Sequence, residues 1–315
     1  MAETCIEFKN ISKSYKDLLA LDNISFKIQK GEIFGYIGPN GAGKTTTIKI
    51  LVGLIQEFGG DVIVSGKNIS TKRKELYNII GYHPQDAGFQ EWRTVDHAYK
   101  TYGRLSGLKS DHLDNRIQEV LDLVGLTDKR FKRIIHLSGG MFQKLRLGQA
   151  LLHNPEILIL DEPLSGLDPA SRYQFKKVIK NLAKEGITIL FSSHILNDVQ
   201  DIADKIGILN QGKIMQLGTP EELQDSFQVG NVIEILVAKN SILCKNLEQL
   251  EDIDYVENSK DIKQLIYLKP ETDVDLVIPQ ILDRLNEQKC KIRSFRLVKP
   301  SLEDVYLNYV RGKIE

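Results

Sequence analysis

Two spacings of apolar residues follow one another along this chain. Near the start, Cys5–Phe8 and Ile24–Ile28 alternate apolar with polar residues, which is the period of half-buried strands in an antiparallel sheet. Between about residues 96 and 153, apolar positions such as Leu113 and Ile117 recur at intervals of three and four. This second spacing predicts a run of helices.

Three continuous apolar runs are too short to be helices. They lie at Glu32–Ile37, Ile157–Leu160 and Ile187–Phe191. Runs of this length predict strands that are covered on both faces. Between the second and third runs, Asp168 suits an N-cap and Pro169 suits the first turn of a helix, so we predict strand, helix and strand in that order.

The pattern changes again after a hairpin predicted at residues 206–217. From about residue 228, short strand-like and helix-like segments alternate, and elements of this length can close a small core. The strand-like segments are Val232–Val237, Tyr255–Val256, Leu265–Leu268 and Ile292–Leu297, and the helix-like segments are Ile242–Leu250, Val274–Leu285 and Ser301–Val310. We therefore predict an α/β domain over residues 1–227, with a helical insert at about 86–153, and an accessory α+β domain over residues 228–315.

Composition narrows the class of protein. The 315 residues include 42 Lys and Arg against 42 Asp and Glu, a balance that argues against a chain built mainly to bind nucleic acid or an anionic membrane. The three cysteines, Cys5, Cys244 and Cys290, are too scattered for a metal cluster and suit a reducing cytosol. No apolar stretch of about 18 residues occurs and the start lacks the apolar core of a signal peptide, so we expect that the chain does not cross a membrane by itself.

A glycine-rich segment follows the first apolar run. Residues 38–46 read G-P-N-G-A-G-K-T-T. Between a strand and a helix, such glycines let backbone N–H groups face a phosphate, Lys44 adds a cation for the β- and γ-phosphates, and the Thr45 hydroxyl suits Mg²⁺. The segment therefore predicts a bound nucleoside triphosphate. Phosphate contacts are predicted for Gly38, Asn40, Gly41, Gly43, Lys44 and Thr46.

Further polar positions add the chemistry of hydrolysis. The second apolar run leads directly into Asp161 and Glu162. An acid at the end of a buried strand is placed to hold Mg²⁺ in a P-loop enzyme, and its neighbour is placed to orient or deprotonate an attacking water. Ser138, Gly139 and Gly140 precede another predicted helix, and a helix N-terminus of this kind is a second candidate anion site.

Read together, these motifs resemble the ATPases of the ABC family. The residues that carry the resemblance are Leu137–Gly140, Asp161–Pro163, Ser165–Asp168 and Ser192–His194, which match the signature, Walker B, D-loop and switch histidine. The resemblance covers residues 1 to about 220. It implies a P-loop NTPase core with an antiparallel β subdomain and a helical subdomain, to which the small C-terminal α+β domain is attached.

The resemblance also implies roles for residues that the local pattern alone does not single out. Tyr15 matches the aromatic residue that stacks on adenine, and Gln85 matches the glutamine that contacts the metal and the attacking water. His194 matches the histidine that contacts the γ-phosphate and positions Glu162. Thr45, Gln85 and Asp161 are thus the predicted Mg²⁺ ligands. Met141 departs from the family, in which glutamine often follows the two glycines.

Partners follow from the same resemblance. Two such domains are expected to meet head to tail, so that the signature of one copy closes over the ATP held by the other. The segment Lys299–Leu307 resembles the tail of ATPases from bacterial drug-exporter ABC transporters, whose membrane subunit is a separate polypeptide. We therefore expect a homodimeric export ATPase that lies on the cytoplasmic side of the membrane, where a separate permease holds it. The permease should contact roughly residues 86–102.

Two alternatives stay open at this point. A soluble ABC ATPase acting on ribosomes or DNA would use the same ATP site, but such proteins usually carry two cassettes or long coiled-coil inserts, and this sequence has neither. An importer ATPase would share every catalytic residue. We expect no nucleic-acid partner, and the transported substrate cannot be read from this chain because the permease would recognise it.

Overall fold

The protein is described by a computed structural model that covers residues 3–16, 18–86, 88–225, 232–238, 244, 246–259, 262–269 and 272–298. The described residues up to Pro220 form one compact unit, and those from Glu221 onward form a second. None of the helices within these ranges is both long enough and apolar enough to span a membrane.

The first unit contains two sheets and a set of helices. Its strands are, in chain order, β1 (Thr4–Tyr15), β2 (Leu18–Gln29), β3 (Ile33–Ile37), β4 (Gly59–Val64), β5 (Lys67–Asn68), β6 (Ile80–His83), β7 (Ile157–Leu160), β8 (Thr188–Ser193), β9 (Lys205–Asn210) and β10 (Lys213–Gly218). Its helices are α1 (Lys44–Leu51), α2 (Ile69–Leu76), α3 (Val95–Leu105), α4 (Ser110–Val124), α5 (Gly139–Leu151), α6 (Pro169–Lys184) and α7 (Leu196–Gln200).

The larger sheet fixes where the loops of the site meet. Its strand order is β10-β9-β3-β8-β7-β6, and all neighbours are parallel except β9 and β10, which form the predicted hairpin. Ile37 pairs with Ser193, and Leu160 pairs with Phe191. The carboxyl ends of β3, β6, β7 and β8 therefore lie at one edge, where ligands bind in sheets of this kind.

The smaller sheet is antiparallel, in the order β2-β1-β4-β5, as the alternation near the start of the chain predicts. A row of stacked rings joins it to the larger sheet. Phe26 on β2 lies 4.3 Å from the Phe8 ring and 5.1 Å from the Phe34 ring on β3. Such stacking adds to the burial of large apolar surfaces and holds the N-terminal sheet against the strand that precedes the glycine-rich segment.

Helices α3, α4 and α5 occupy the chain between β6 and β7, as the helical spacing predicts. Tyr99 on α3 is fully buried and donates a hydrogen bond to the Leu145 carbonyl on α5. A Cβ on Gly148 would clash with the Tyr99 hydroxyl, so glycine allows the two helices to approach closely. Helix α4 ends at Gly125 in the left-handed conformation, a common helix terminator.

The second unit is a four-stranded antiparallel sheet with a helix on one face. Its elements are α8 (Pro220–Asp225), β11 (Val232–Val237), β12 (Ile253–Ser259), β13 (Lys263–Leu268), α9 (Val274–Glu287) and β14 (Ile292–Val298), with strand order β12-β13-β11-β14. Val277, Ile281 and Leu285 of α9 are buried in one core with Ile233 and Ile266.

One predicted element of this unit is wrong in its described part. Only Leu247–Gln249 is helical there, as a 3₁₀ turn. Asn246 precedes it with a φ of 60°, a left-handed conformation that cannot continue an α-helix, so the described residues from Asn246 to Leu250 do not form the α-helix expected there. The predicted helix Ser301–Val310 and the tail Lys299–Leu307 lie outside the described residues.

Candidate functional site

The glycine-rich segment turns tightly between β3 and α1. Gly43 has a φ of 111°, and a Cβ there would lie 2.7 Å from both the Ala20 carbonyl oxygen and the Leu21 side chain. A Cβ on Gly38 would clash with the carbonyl of Leu209. Within the described ranges, no side chain caps the N-terminus of α1. Its first N–H groups and the positive end of its dipole are thus available to an anion.

Lys44 is held inside the loop that it follows. Its side chain is only 6% exposed, and Nζ lies 3.3 Å from Oε1 of Glu162. The same Nζ donates to the carbonyl oxygens of Gly38, at 2.7 Å, and Pro39, at 3.2 Å. Burying an ammonium group is costly unless it is paired, and these contacts both compensate the charge and fix its position beside the loop.

Asp161 lies at the end of β7 with one carboxylate oxygen engaged. Oδ1 accepts hydrogen bonds from the hydroxyls of Ser192, at 2.7 Å, and Thr45, at 3.3 Å. Among the described residues, no group donates to the buried Oδ2. Burial raises the pKa of Asp161, and the hydrogen bonds from Ser192 and Thr45 oppose that rise. A buried carboxylate oxygen in need of a partner, beside a hydroxyl, fits the oxygen ligands that Mg²⁺ requires.

Glu162 is fixed in an unusual backbone conformation. Its φ is 51°, a left-handed value that is uncommon for any residue other than glycine. Its N–H donates to Ser192 Oγ at 3.0 Å, and its Oε2 lies 2.7 Å from Nδ1 of His194. Strain of this kind persists where the surroundings over-determine it, and here it aims a buried carboxylate into the cleft.

Most of the residues predicted to bind adenine, phosphate or metal line one cleft of about 530 Å³, within the range of ligand sites. Gly38 and Asp161 are not part of the lining, although each contacts a residue that is, Lys44 and Thr45 respectively. Tyr15, 44% exposed, lies at this cleft on the N-terminal sheet. The lining residues are Tyr15, Leu18, Ala20, Asn40, Gly41, Gly43, Lys44, Thr45, Thr46, Gln85, Glu162, Ser165 and His194. The structure therefore brings together the groups predicted to bind adenine, phosphate and metal and to act on water.

The signature residues do not line this cleft. Ser138 is exposed and caps α5, where its Oγ accepts a hydrogen bond from the Met141 N–H at 3.4 Å. A Cβ on Gly139 would meet nothing within 4 Å. Ser138, Gly139 and Gly140 thus form a separate helix N-terminus, in which Ser138 and Gly139 are exposed and Gly140 lies against Ser171.

Two residues have contacts at the site that sequence reasoning does not assign to them. Ser192 is fully buried and connects Asp161 with the backbone of Glu162. Its position directly after the apolar residues of β8, within the motif Ser192–His194, is the sequence signal that points to it. Arg146 donates to the backbone carbonyl of Gln85, and no local pattern indicates that contact.

Family comparisons agree with this geometry. The chain matches the ABC transporter family over residues 21–165 and the C-terminal domain of DrrA1-3-like ATP-binding proteins over residues 218–310. It is 31% identical over 309 residues to the linearmycin resistance ATP-binding protein LnrL of Bacillus subtilis, covering 96% of this chain and 97% of that protein. It is 38% identical over 214 residues to the bacitracin transport ATP-binding protein BcrA of Bacillus licheniformis, covering 68% and 69%.

Solved structures give the same fold. An ATP-binding cassette of an ABC transporter in its ADP conformation aligns with a TM-score of 0.64 and 27% identity, covering 70% of this chain and 92% of that one. A dimeric cassette bound to ADP and phosphate aligns with a TM-score of 0.62, covering 68% and 98%, and at 23% identity it supports the fold alone.

The fold and the cleft define a P-loop ATPase of the ATP-binding-cassette class, so the predicted fold class is confirmed. The chain belongs to the ATP-binding proteins of ABC transporters. As a member of that family it binds ATP, hydrolyses it to power transport and works with a membrane permease. The transporter prediction is thereby confirmed, and nothing in these relatives favours an ATPase acting on ribosomes or DNA.

Proposed function

We propose that this chain is the ATPase subunit of an exporter, in which two copies hydrolyse Mg–ATP between them and drive a separately encoded permease. One observation supports the dimer. The cleft that contains the phosphate loop and the exposed signature residues Ser138–Gly140 lie apart within one chain, so a second copy is needed to bring a signature to the cleft. Export is supported by the relatives' names, which include linearmycin resistance, bacitracin transport and Nod factor export.

The adenine and the phosphates of ATP are assigned to different parts of the cleft. Tyr15 stacks on adenine, and base stacking on an aromatic ring contributes about 1–3 kcal/mol. The phosphates lie in the loop before α1, because the buried cation of Lys44 and the uncapped helix N-terminus both favour negative charge. The residues assigned to the phosphates are Gly38, Asn40, Gly41, Gly43, Lys44 and Thr46.

Mg²⁺ is assigned to Thr45, Gln85 and Asp161. The buried Oδ2 of Asp161 and the Thr45 hydroxyl supply the oxygen ligands that this ion prefers, and Gln85 lines the same cleft. When bound, the ion supplies neutralisation of charge on the β- and γ-phosphates. The hydroxyl of Ser192 holds Asp161 in place for this role.

Glu162 is the proposed general base. A water oxygen attacks the γ-phosphorus, the bond from phosphorus to the β–γ bridging oxygen breaks, and the water proton passes to the Glu162 carboxylate. His194 holds that carboxylate through the 2.7 Å contact and faces the γ-phosphate. General-base catalysis typically contributes about 10²- to 10⁴-fold, so Glu162 should dominate the rate of the chemical step.

The second copy supplies Ser138, Gly139 and Gly140 to the γ-phosphate. About four negative charges on bound ATP need donors from both sides, and the exposed N-terminus of α5 offers them. Hydrolysis removes the γ-phosphate that both copies share, so the dimer opens by a shift of population.

The permease is proposed to contact the segment of residues 86–102, on the cytoplasmic side of the membrane. This segment begins next to Gln85 and includes most of α3, and its residues Phe89, Ala98 and Tyr102 line a groove of about 460 Å³. A segment that leaves the ATP cleft at one end can move a partner at the other.

The test of the proposal is Glu162→Gln. We expect ATP turnover to fall by at least about 100-fold while ATP binding persists and the ATP-bound dimer lives longer, because the amide keeps the shape and loses the base. Phosphate release measures turnover, ATP titration measures binding, and sedimentation with excess Mg–ATP measures the ATP-bound dimer. Glu75→Gln, at an exposed carboxylate paired with Lys67, is the control. Undiminished turnover, or a chain that stays monomeric with ATP, contradicts the proposal.

A further inference from the structure

Arg146 reaches from the signature helix α5 to the loop that carries Gln85. Its Nη1 donates to the Gln85 backbone carbonyl at 2.9 Å across 61 residues of sequence. Its guanidinium carbon lies 4.9 Å from the centre of the Phe142 ring, one turn earlier on α5. A planar cation stacked on a ring loses little freedom when it makes a directed hydrogen bond.

A second contact joins the same helix to the same loop. The Phe142 ring meets Phe89 edge to face at 5.8 Å, and Phe89 meets Tyr102 of α3 in the same manner at 5.4 Å. The Gln85 segment, defined as residues 84–94 between β6 and α3, is therefore held to α5 at its start by Arg146 and further along by Phe142.

The environment of Arg146 shows that the contact is costly to make. Burial lowers the pKa of Arg146, and the carboxylate of Asp86 opposes that shift. A guanidinium that is partly removed from water must be compensated by directed partners, and a charge-assisted hydrogen bond to a carbonyl is stronger than a neutral one. Arg146 is thus more than a solvated surface side chain.

We propose that Arg146 is a positioning residue for Gln85, which ties the orientation of Gln85 in the ATP cleft to the helix that carries the signature. This inference rests on the roles proposed above for Gln85 and Ser138. Ser138 caps α5, and Arg146 follows it by eight residues, about 12 Å along the helix. Because Gln85 serves the chain's own ATP and Ser138 serves the partner copy's ATP, one rigid helix links the two sites.

The chain carries its own reporter of this segment. Trp92 is its single tryptophan, lies in the Gln85 segment, is 67% exposed and has the Arg93 guanidinium 4.8 Å from its ring. Its emission should therefore change if ATP reorders the segment, without any added label.

The experiment compares three single variants, Arg146→Met, Arg146→Lys and Gln85→Ala. It also includes the double variant that combines Arg146→Met with Gln85→Ala. Arg146→Met should lower kcat about tenfold with KM for ATP within about twofold, because Gln85 acts in turnover while the loop before α1 binds phosphate. Arg146→Lys should recover part of the loss. The pair should lose no more than Gln85→Ala alone, since both act through one residue.

The control is Arg116→Met. Arg116 likewise donates to backbone carbonyls, those of Leu151 and Leu152 at the far end of α5, but it lies away from the cleft lining. This variant should lower stability with unchanged kcat. Combined with Gln85→Ala, its loss of stability should add to that of Gln85→Ala, and kcat should stay at the value of Gln85→Ala alone. In a Glu162→Gln background with excess Mg–ATP, Arg146→Met should reduce the ATP-dependent change in Trp92 emission, and Arg116→Met should not.

Three outcomes for the Arg146 variants would overturn the inference. They are losses that multiply in the double variant, a Trp92 response that Arg146→Met leaves intact, and an Arg146→Met chain that is less stable with unchanged kcat. If Gln85→Ala itself leaves kcat unchanged, the proposed metal role of Gln85 fails and the inference fails with it. The dimer and the general base are tested separately by Glu162→Gln, so the two failures are distinguishable.

Discussion

The phosphate loop before α1 and the signature before α5 are both helix N-termini that contain glycine. They differ in how closely the rest of the chain packs around them. In the phosphate loop, Gly38 and Gly43 press against backbone, and Lys44 is buried among carbonyls and a carboxylate. At the signature, Gly139 faces open space and Ser138 only caps its own helix.

This difference teaches how the two motifs use the same backbone chemistry. A loop whose conformation is fixed by its own chain is preorganised, so little is lost in ordering it when ATP binds. A helix N-terminus that faces outward keeps N–H donors that an external anion can reach. This difference matches the proposal that the phosphate loop binds ATP within its own chain and the signature completes the site of a second copy.

The largest effect should come from mixing two inactive variants. Lys44→Ala removes the cation of the phosphate loop, and Gly139→Asp sets a carboxylate where the partner's γ-phosphate is proposed to lie. Each alone should show less than about 1% of normal turnover, a loss near the upper end for single electrostatic groups. In a mixed dimer, one site joins an intact loop to an intact signature, so equal mixing should restore about a quarter of wild-type phosphate release.

If both motifs act within one chain, no mixture of the two variants recovers turnover. That result would contradict the proposed difference between the phosphate loop and the signature. ATP binding to each variant alone is the control. Gly139→Asp should still bind ATP with normal affinity, since the signature is absent from the cleft lining. Lys44→Ala should lose affinity, since Lys44 lies within it.

A smaller effect should separate stability from activity at two glycines. Gly43→Ala forces a side chain into a left-handed conformation with contacts at 2.7 Å, and strain with overpacking should lower the free energy of unfolding by about 3 kcal/mol. Gly139→Ala meets open space, so its stability should stay within about 0.5 kcal/mol. Its turnover should nevertheless fall if the methyl group faces the partner's phosphate.

Denaturant unfolding and steady-state turnover measure these two quantities on the same preparations. A Gly139→Ala chain with normal turnover would contradict the role of the signature in closing the site. A Gly43→Ala chain of normal stability would show that the phosphate loop relaxes more readily than its contacts indicate.

The parts of the site that could be predicted from sequence are those that depend on neighbours along the chain. Asp161 and Glu162 follow a short apolar run, and the glycine-rich segment follows another, so local pattern is enough to place them at strand ends. Asp168 likewise forms the predicted N-cap of α6.

Contacts across long stretches of sequence could not be predicted in this way. Ser192 contacts Asp161 across 31 residues, and Arg146 contacts Gln85 across 61, so both depend on strand register and helix packing. In the second unit, the left-handed Asn246 interrupts a helical pattern, an example of tertiary context overriding local propensity. The parallel pairing of β9 with β3 is a further long-range feature that the local hairpin pattern does not indicate.

The smallest expected effect is a pH dependence of stability that comes from His83, the last residue of β6. Burial lowers the pKa of His83, at the end of β6, to about 4 from the ordinary 6.5. The folded chain therefore keeps this ring neutral while the unfolded chain binds a proton below pH 6.5, so the stability present above pH 6.5 is lost as pH falls toward 4.

His83→Leu tests this dependence. Between pH 7.5 and pH 5.0, wild type should lose about 2 kcal/mol more of its free energy of unfolding than the variant does, at about 1.4 kcal/mol per pH unit below 6.5. Urea unfolding at both values measures it, and the difference at pH 7.5 isolates any change in packing against Phe175. Equal pH dependence in the two chains would mean that His83 binds its proton in the folded state as readily as in the unfolded state. The end of β6, two residues before Gln85, would then be more accessible to water than the burial of His83 indicates.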